Sequence, residues 1–421
     1  MLILRTIPSR ATIMIVVAAG LMMASLAWAS SERVLYSFNN NGADGVTPYS
    51  SLVFDGSSNL YGTTVLGGSY GCGTVFELSP AGQGWTETVI YSFQNNGKDG
   101  CEPYAGLISD AAGNLYGTTY TGGGNGAGAV FELSPAGNGQ WREKLLSGFG
   151  GSRGAYPIAS LTFDSAGNLY GTTVEGGNGT NCRVGCGTVF QLTPVAKGRW
   201  TETVLHSFAG AGSDGAWPYS TLIFDASGNL YGTTFTGGQH FSGTVFELTP
   251  NDGQWTETIL YSFNNNGQDA VAPTAGVVFD SSGNLYGTAT AGGISQAGAV
   301  FELIPGTSGW TETVLHSFGA GDGSQPYGGL LIGPAGRVYG TTYLGGSNGW
   351  GTVFALTKYG QGEWAERVLY SFENNGSDGY GPYLGNLVRD SKGHLYGTTA
   401  YGGSGSNCGS IGCGAVVEVI P

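Results

Sequence analysis

The stretch Gly167-Asn168-Leu169-Tyr170-Gly171-Thr172-Thr173, "GNLYGTT", decides the fold because it does not occur once. Near-copies surround Tyr61, Tyr116, Tyr231, Tyr286, Tyr339 and Tyr396, and the seven tyrosines are spaced by 55, 54, 61, 55, 53 and 57 residues. A period of that size marks a repeat architecture rather than a string of independent domains. Each unit carries four strand-like runs. Around Tyr231 they are Ser220–Asp225, Asn229–Phe235, Gly243–Pro250 and Trp255–Phe263. Short runs rich in β-branched and aromatic residues, bounded by Gly, Asn, Asp and Pro, read as strands. Their short connections make each unit an antiparallel meander, the form of a propeller blade.

The chain ends choose between an open array and a ring. The last unit stops at "GAVVEVIP" (Gly414–Pro421) without its fourth strand. The missing piece stands at the other end, "RVLYSF" (Arg33–Phe38), letter for letter the segment Arg367–Phe372. The N-terminal segment is therefore expected to be the outermost strand of the last blade, closing the ring and removing two open sheet edges. A linear solenoid would instead end in polar caps. The predicted fold is an all-β, seven-bladed propeller of four-stranded antiparallel blades over residues 30–421.

The first 29 residues stand apart. Arg5 and Arg10 precede an apolar run, Ala11–Trp28, that ends in Ala27-Trp28-Ala29. This is the pattern of a signal peptide cleaved after Ala29; an uncleaved membrane anchor is the rival reading, disfavoured because the run is short for a span and a cleavage pattern follows it. No later run is apolar for long enough to cross a bilayer as a helix. Removing the two arginines leaves 13 basic against 29 acidic residues, a net charge of −16. Such a surface argues against nucleic acid and against anionic lipid as partners.

Six cysteines in an exported chain point to disulfides. Cys182–Cys186 and Cys408–Cys413 are local pairs in matching loops. Cys72 occupies the repeat position of Cys186 and Cys413. It is paired with Cys101 by elimination, and because the loop after the second strand shares a face with the crossover to the next blade. A zinc site is the rival reading, disfavoured because the cysteines fall in different repeats and only four histidines exist.

The units "DxxGNLYGTTxxGG…GTVFELTP…WTETVLYSF…DGxxPY" resemble the GloVer tandem repeat of exported bacterial proteins, called "choice-of-anchor" because their C-terminal anchors vary. The resemblance covers Arg33 to Pro421. It implies location and architecture and carries no activity. This chain stops at Pro421 directly after a strand, with neither a hydrophobic tail nor a sorting signal, so a secreted or periplasmic monomer is expected.

Most of the repeated residues read as architecture. Asp55, Asp110, Asp164, Asp225, Asp280 and Asp390 belong to the turn between the first two strands, where Gly228 and Asn229 tolerate positive φ. Gly171 and its counterparts mark close backbone approach. Trp85, Trp141, Trp200, Trp255, Trp310 and Trp364 are expected to pack between blades. His206 and His316 replace the tyrosine of "LYSF", and His394 replaces the Asn of "GNLY"; all three read as tolerated substitutions, with no spacing for a metal or a triad. No metal ligands and no catalytic residues are assigned. The "NNGxDG" segments at Asn40–Gly45, Asn95–Gly100 and Asn374–Gly379, with "NNGQDA" at Asn265–Ala270, offer one carboxylate each. Ca²⁺ there is an alternative to a plain glycine turn.

Function is sought where the repeats differ, in the second-to-third-strand loops and the crossovers of one face. The candidate ligand-binding residues are Tyr70, Glu102, Tyr156, Glu175, Trp217, Phe241, Trp350 and Tyr380, with Arg183, His240, Gln325 and Tyr401 nearby in the same loops. Aromatics with a few polar groups on a rigid rim suit sugars or peptides. Three functions remain: a non-catalytic propeller binding an extracellular carbohydrate or peptide, a carbohydrate-active hydrolase or lyase using Glu102 and Glu175, and an envelope structural or adhesion protein.

Overall fold

In the computed structural model, residues 30–421 are described apart from positions 211, 213 and 361. The expected signal peptide, residues 1–29, lies outside the described residues. The strand-like runs form seven four-stranded antiparallel sheets, here blades 1 to 7 in chain order. Blade 4 is typical, with strands Ile223–Phe224, Leu230–Thr234, Thr244–Asn251 and Gln254–Ser262. The innermost strand is shorter than the sequence suggests, two residues where a run of six was expected. Near the axis the preceding backbone bonds sideways instead: the Ser220 carbonyl accepts the Thr172 hydroxyl of blade 3 at 3.0 Å.

The ring closes as predicted. Ser31–Ser37 is the outer strand of blade 7 and pairs antiparallel with Ala415–Ile420, from Ser31 opposite Ile420 to Ser37 opposite Ala415. Arg33 reinforces the joint with an ion pair to Glu418 at 2.9 Å. No helix among the described residues is long and apolar enough to cross a membrane.

The signature stretch is a set of seam contacts. Its tyrosine is held between two rings of the following blade. Tyr170 of blade 3 meets Phe224 at 5.0 Å and Trp255 at 6.2 Å, both of blade 4. The same pairing of Tyr with the next blade's Trp recurs at Tyr61–Trp141, Tyr116–Trp200, Tyr286–Trp364 and Tyr396–Trp85. Edge-on pairs of this kind add to the area they bury. The glycine leaves room for a buried phenylalanine, since a Cβ on Gly171 would come within 2.7 Å of Phe190 Cζ. The first threonine bonds to the next blade's inner backbone in six blades, for example Thr233 to the Ala275 carbonyl at 2.9 Å. The second ties strands within a blade, as in Thr234 to Thr244 at 2.8 Å.

The aspartates are turn residues. Asp225 accepts the N–H groups of Ser227 and Asn229 at 2.8 and 2.9 Å, and the Asn229 amide at 2.8 Å. Gly228 takes φ 86°, while Asn229 does not enter the positive-φ region. Asn229 serves the turn through its side-chain donor instead.

Candidate functional site

Three kinds of segment build the variable face. Each crossover enters its blade by a short pairing with that blade's second-to-third-strand loop, as in Gly215–Ala216 with Thr236–Gly237. The crossover then turns at a residue with left-handed backbone just before proline. Glu102, Tyr156, Trp217 and Gln325 have φ of 60°, 58°, 57° and 55°. Bulky residues disfavour that region, and a following proline disfavours it further. The surroundings hold it: Trp217 N–H donates to Cys186 O at 2.9 Å, and its carbonyl accepts Phe235 N–H at 3.0 Å. Such strain, about 1–3 kcal/mol per residue, persists only where neighbours over-determine it. Disulfides fix the loops further. Cys72–Cys101 spans blades 1 and 2, and Cys182–Cys186 and Cys408–Cys413 staple single loops.

Over this rigid base runs an arc of aromatic rings. Tyr156 stacks near Tyr120 at 4.9 Å, Tyr120 meets Tyr104 at 5.2 Å, and Tyr104 meets Tyr49 at 5.6 Å. Tyr49 meets Tyr383 at 4.9 Å, which meets Tyr327 at 4.7 Å and Tyr343 at 5.5 Å. Burial, then the neighbouring phenols, push the Tyr383 hydroxyl up to about 12, so it stays a neutral donor. At the far end Tyr380 lies between Trp350 at 4.8 Å and Tyr401 at 5.7 Å. Tyr343, Leu344, Trp350, Tyr380, Tyr401 and Ile411 line a cleft of about 190 Å³ between blades 6 and 7. A cavity of about 30 Å³ lies among Ser50, Gly106, Ser160 and Asn386, room for little more than a water.

The predicted residues divide. Trp350 and Tyr380 converge in the cleft, joined by Tyr401. Tyr156, Glu102 and Glu175 gather at the other end of the arc around Tyr120, whose hydroxyl is raised by burial and then by Glu175, Tyr156 and Glu102. Burial also raises the Glu175 carboxyl. Trp217 is partly buried and packs against the core shared by blades 3 and 4. Tyr70 and Phe241 stand exposed on the rim, 59% and 69% accessible. The residues missed were Tyr49, Tyr104, Tyr219, Tyr327 and Tyr383, each directly after a proline. The repeated "PY" was their signal.

The "NNGxDG" loops turn their carboxylates inward. Asp44 accepts Tyr36 Oη at 2.8 Å and the N–H groups of Asn39 and Gly45 at 2.8 and 2.6 Å. Both Asp44 oxygens are thus engaged, whereas Asp269 Oδ1 and Asp378 Oδ1 have no hydrogen-bond partner. A glutamate from the next blade's outer strand faces each cluster. Glu87, opposite Asp44, is pushed up to about 8 by burial and then by that aspartate. Glu32, opposite Asp378, is raised to about 8 in the same way. At two seams a histidine stands in the tyrosine's place, giving the clusters His206–Asp214–Glu257 and His316–Asp322–Glu366. Spacing hid them, because each glutamate lies on a different blade from its histidine.

A closed ring of four-stranded blades with one variable aromatic face defines a repeat β-propeller. The chain belongs to the Gloeobacter/Verrucomicrobia repeat family, whose model matches residues 25–223, 144–310 and 225–413. No curated protein sequence matches the chain. Among solved structures it is similar to a putative 6-phosphogluconolactonase from Bacteroides uniformis, at 13% identity over 84% of this chain and 87% of that one, TM-score 0.47. It is also similar to a luciferin-regenerating enzyme (12%, 93% and 95%, 0.45) and a glucose dehydrogenase (16%, 93% and 99%, 0.45). Likeness at this level carries no assignment of activity.

Proposed function

We propose that the protein is an exported, non-catalytic binding propeller that takes a neutral carbohydrate chain along the aromatic arc of its variable face. The observation that carries the reading is the cleft of Trp350, Tyr380, Tyr401 and Tyr343, where indole and phenol faces converge on a volume of about 190 Å³. Sugar rings present C–H faces to aromatic rings and hydroxyls to phenols, and the cleft offers both. The three disulfides suit an oxidising compartment. The formal charge of −14 disfavours polyanionic glycans.

A glycan array followed by calorimetry tests it. Binding of a neutral oligosaccharide, weakened at least tenfold in Trp350→Ala, supports the reading. An empty array, with capture of a peptide by the same cleft, would redirect it to a protein partner. A hydrolase is the second reading, favoured by the placement of Glu102 and Glu175 around Tyr120. Glycoside hydrolysis requires a carboxyl pair flanking the bond. Product release by the wild type, lost in Glu102→Gln and Glu175→Gln, would replace binding by catalysis.

A further inference from the structure

Six of the seven blade seams repeat one arrangement. A ring residue at the end of an outer strand faces an aspartate of the following crossover, and a glutamate of the next blade completes the group. The seam between blades 2 and 3 instead joins Ser147 and Arg153 to Glu202. In four seams the ring residue is a tyrosine bonded to its aspartate, Tyr36–Asp44, Tyr91–Asp99, Tyr261–Asp269 and Tyr370–Asp378, at 2.8 to 3.1 Å. In the other two it is His206 or His316, and the loop changes with it. The Asn-Asn-Gly that precedes the aspartate in the tyrosine seams gives way to glycine and alanine around 209–212 and 319–321. A hydroxyl that only donates to the carboxylates is thereby exchanged for a nitrogen that can share a cation with them.

The seam between blades 3 and 4 is the open one. His206 Nε2 stands 3.6 Å from Asp214 Oδ1 and 3.7 Å from Glu257 Oε1, beyond hydrogen-bond length. All three atoms are shielded from solvent and lack a hydrogen-bond partner. They lie within 4.8 Å of one another. Their surroundings hold them in place: Asp214 Oδ2 accepts Ala209 N–H at 2.5 Å, and the Phe208 ring meets the imidazole edge-on at 4.7 Å. A tetrahedral ion with ligands at about 2.0–2.1 Å spaces its donors about 3.3 Å apart, so the imidazole nitrogen need approach each carboxylate by only a few tenths of an ångström to share zinc with it. One imidazole and two carboxylates are donors that zinc accepts, leaving a position for water.

We propose that His206, Asp214 and Glu257 form a divalent-metal site of the zinc type that clamps blade 3 to blade 4. The ion offsets the repulsion of two facing carboxylates and satisfies three otherwise orphaned atoms. His316, Asp322 and Glu366 are the same residue set in a closed form, since His316 Nε2 already bonds Asp322 Oδ2 at 3.0 Å. That seam must break a bond to take an ion and is the weaker site.

The full chain, stripped by a chelator and dialysed, is titrated calorimetrically with Zn²⁺ alone. One ion binds first, and the melting midpoint rises with it. His206→Tyr installs the residue of four sibling seams, so the fold is kept while affinity for that ion falls at least tenfold. Glu257→Gln weakens it similarly, and His316→Tyr leaves it intact. A doubly paired imidazolium without an ion is the rival arrangement. It predicts no heat and no change in melting midpoint when Zn²⁺ is added to the wild type, and that result overturns the proposal. So does a titration unchanged in both His206→Tyr and Glu257→Gln.

Discussion

The two faces of the ring are made by the same seven units and have diverged unequally. On one face, six first-to-second-strand turns repeat an aspartate that binds its own turn amides, from Asp55 to Asp390. On the other, equivalent positions hold Thr47, Glu102, Tyr156, Trp217, Ala272 and Gln325, all forced to positive φ by one backbone scheme. The scheme is kept and the side chains are free to change. Regular residues therefore report what the ring needs to stand, and irregular ones report what it can touch.

Removing the shared frame breaks both faces together. A chain starting at Asn39 lacks the outer strand of blade 7 and uncovers the paired edge of Ala415–Ile420. Its cooperative melting transition is expected to be lost, with aggregation in light scattering. Next in size is a pair of tryptophans. Trp255, wedged against Tyr170 across a seam, should cost about 3–5 kcal/mol of stability on change to Ala. Trp350, 38% accessible on the variable face, should cost under about 1 kcal/mol, a surface-like value. Chemical denaturation measures both, and equal losses would erase the distinction between frame and face.

A smaller effect separates two signature glycines. A Cβ on Gly171 meets Phe190 at 2.7 Å, whereas one on Gly397 meets only Leu387 Cδ2, at 3.0 Å, because Val417 occupies the phenylalanine position in blade 7. Gly171→Ala is expected to cost about 1–3 kcal/mol by overpacking and Gly397→Ala clearly less. Stability also depends on pH through the seam glutamates. Glu32 and Glu87 have folded pKa values of about 8 against 4.5 for the free side chain. Between those values the folded state holds protons that the unfolded state has released, so stability falls as pH rises. The melting midpoint should decline from pH 5 to pH 8, and Glu87→Gln should flatten that decline.

The sequence made the frame legible because repetition samples one structural problem seven times. Blade number, the borrowed closing strand, the Cys72–Cys101 pairing and the inter-blade tryptophans all follow from aligning the units. The candidate site was legible in part. Trp350, Tyr380, Tyr156, Glu102 and Glu175 were recognisable as departures from the repeat. Tyr49, Tyr104 and Tyr383 were not, because a residue that repeats looks architectural even when its ring joins the aromatic arc. Trp217 also departs from the repeat, and its ring is partly buried against the core shared by blades 3 and 4. Loop direction depends on packing that spacing does not encode. His206 and His316 looked tolerated when viewed alone, and only the neighbouring blade's glutamate gives each its cluster.

The central claim is that ligand meets the aromatic arc and not the regular turns. Hydrogen exchange of the full chain, with and without a neutral oligosaccharide selected on the array, tests it most directly. The account predicts protection of the amides at 343–350, 380–383 and 401–411, with the turns at 55–59 and 225–229 unchanged. Protection at those turns, with the arc unaffected, would contradict it.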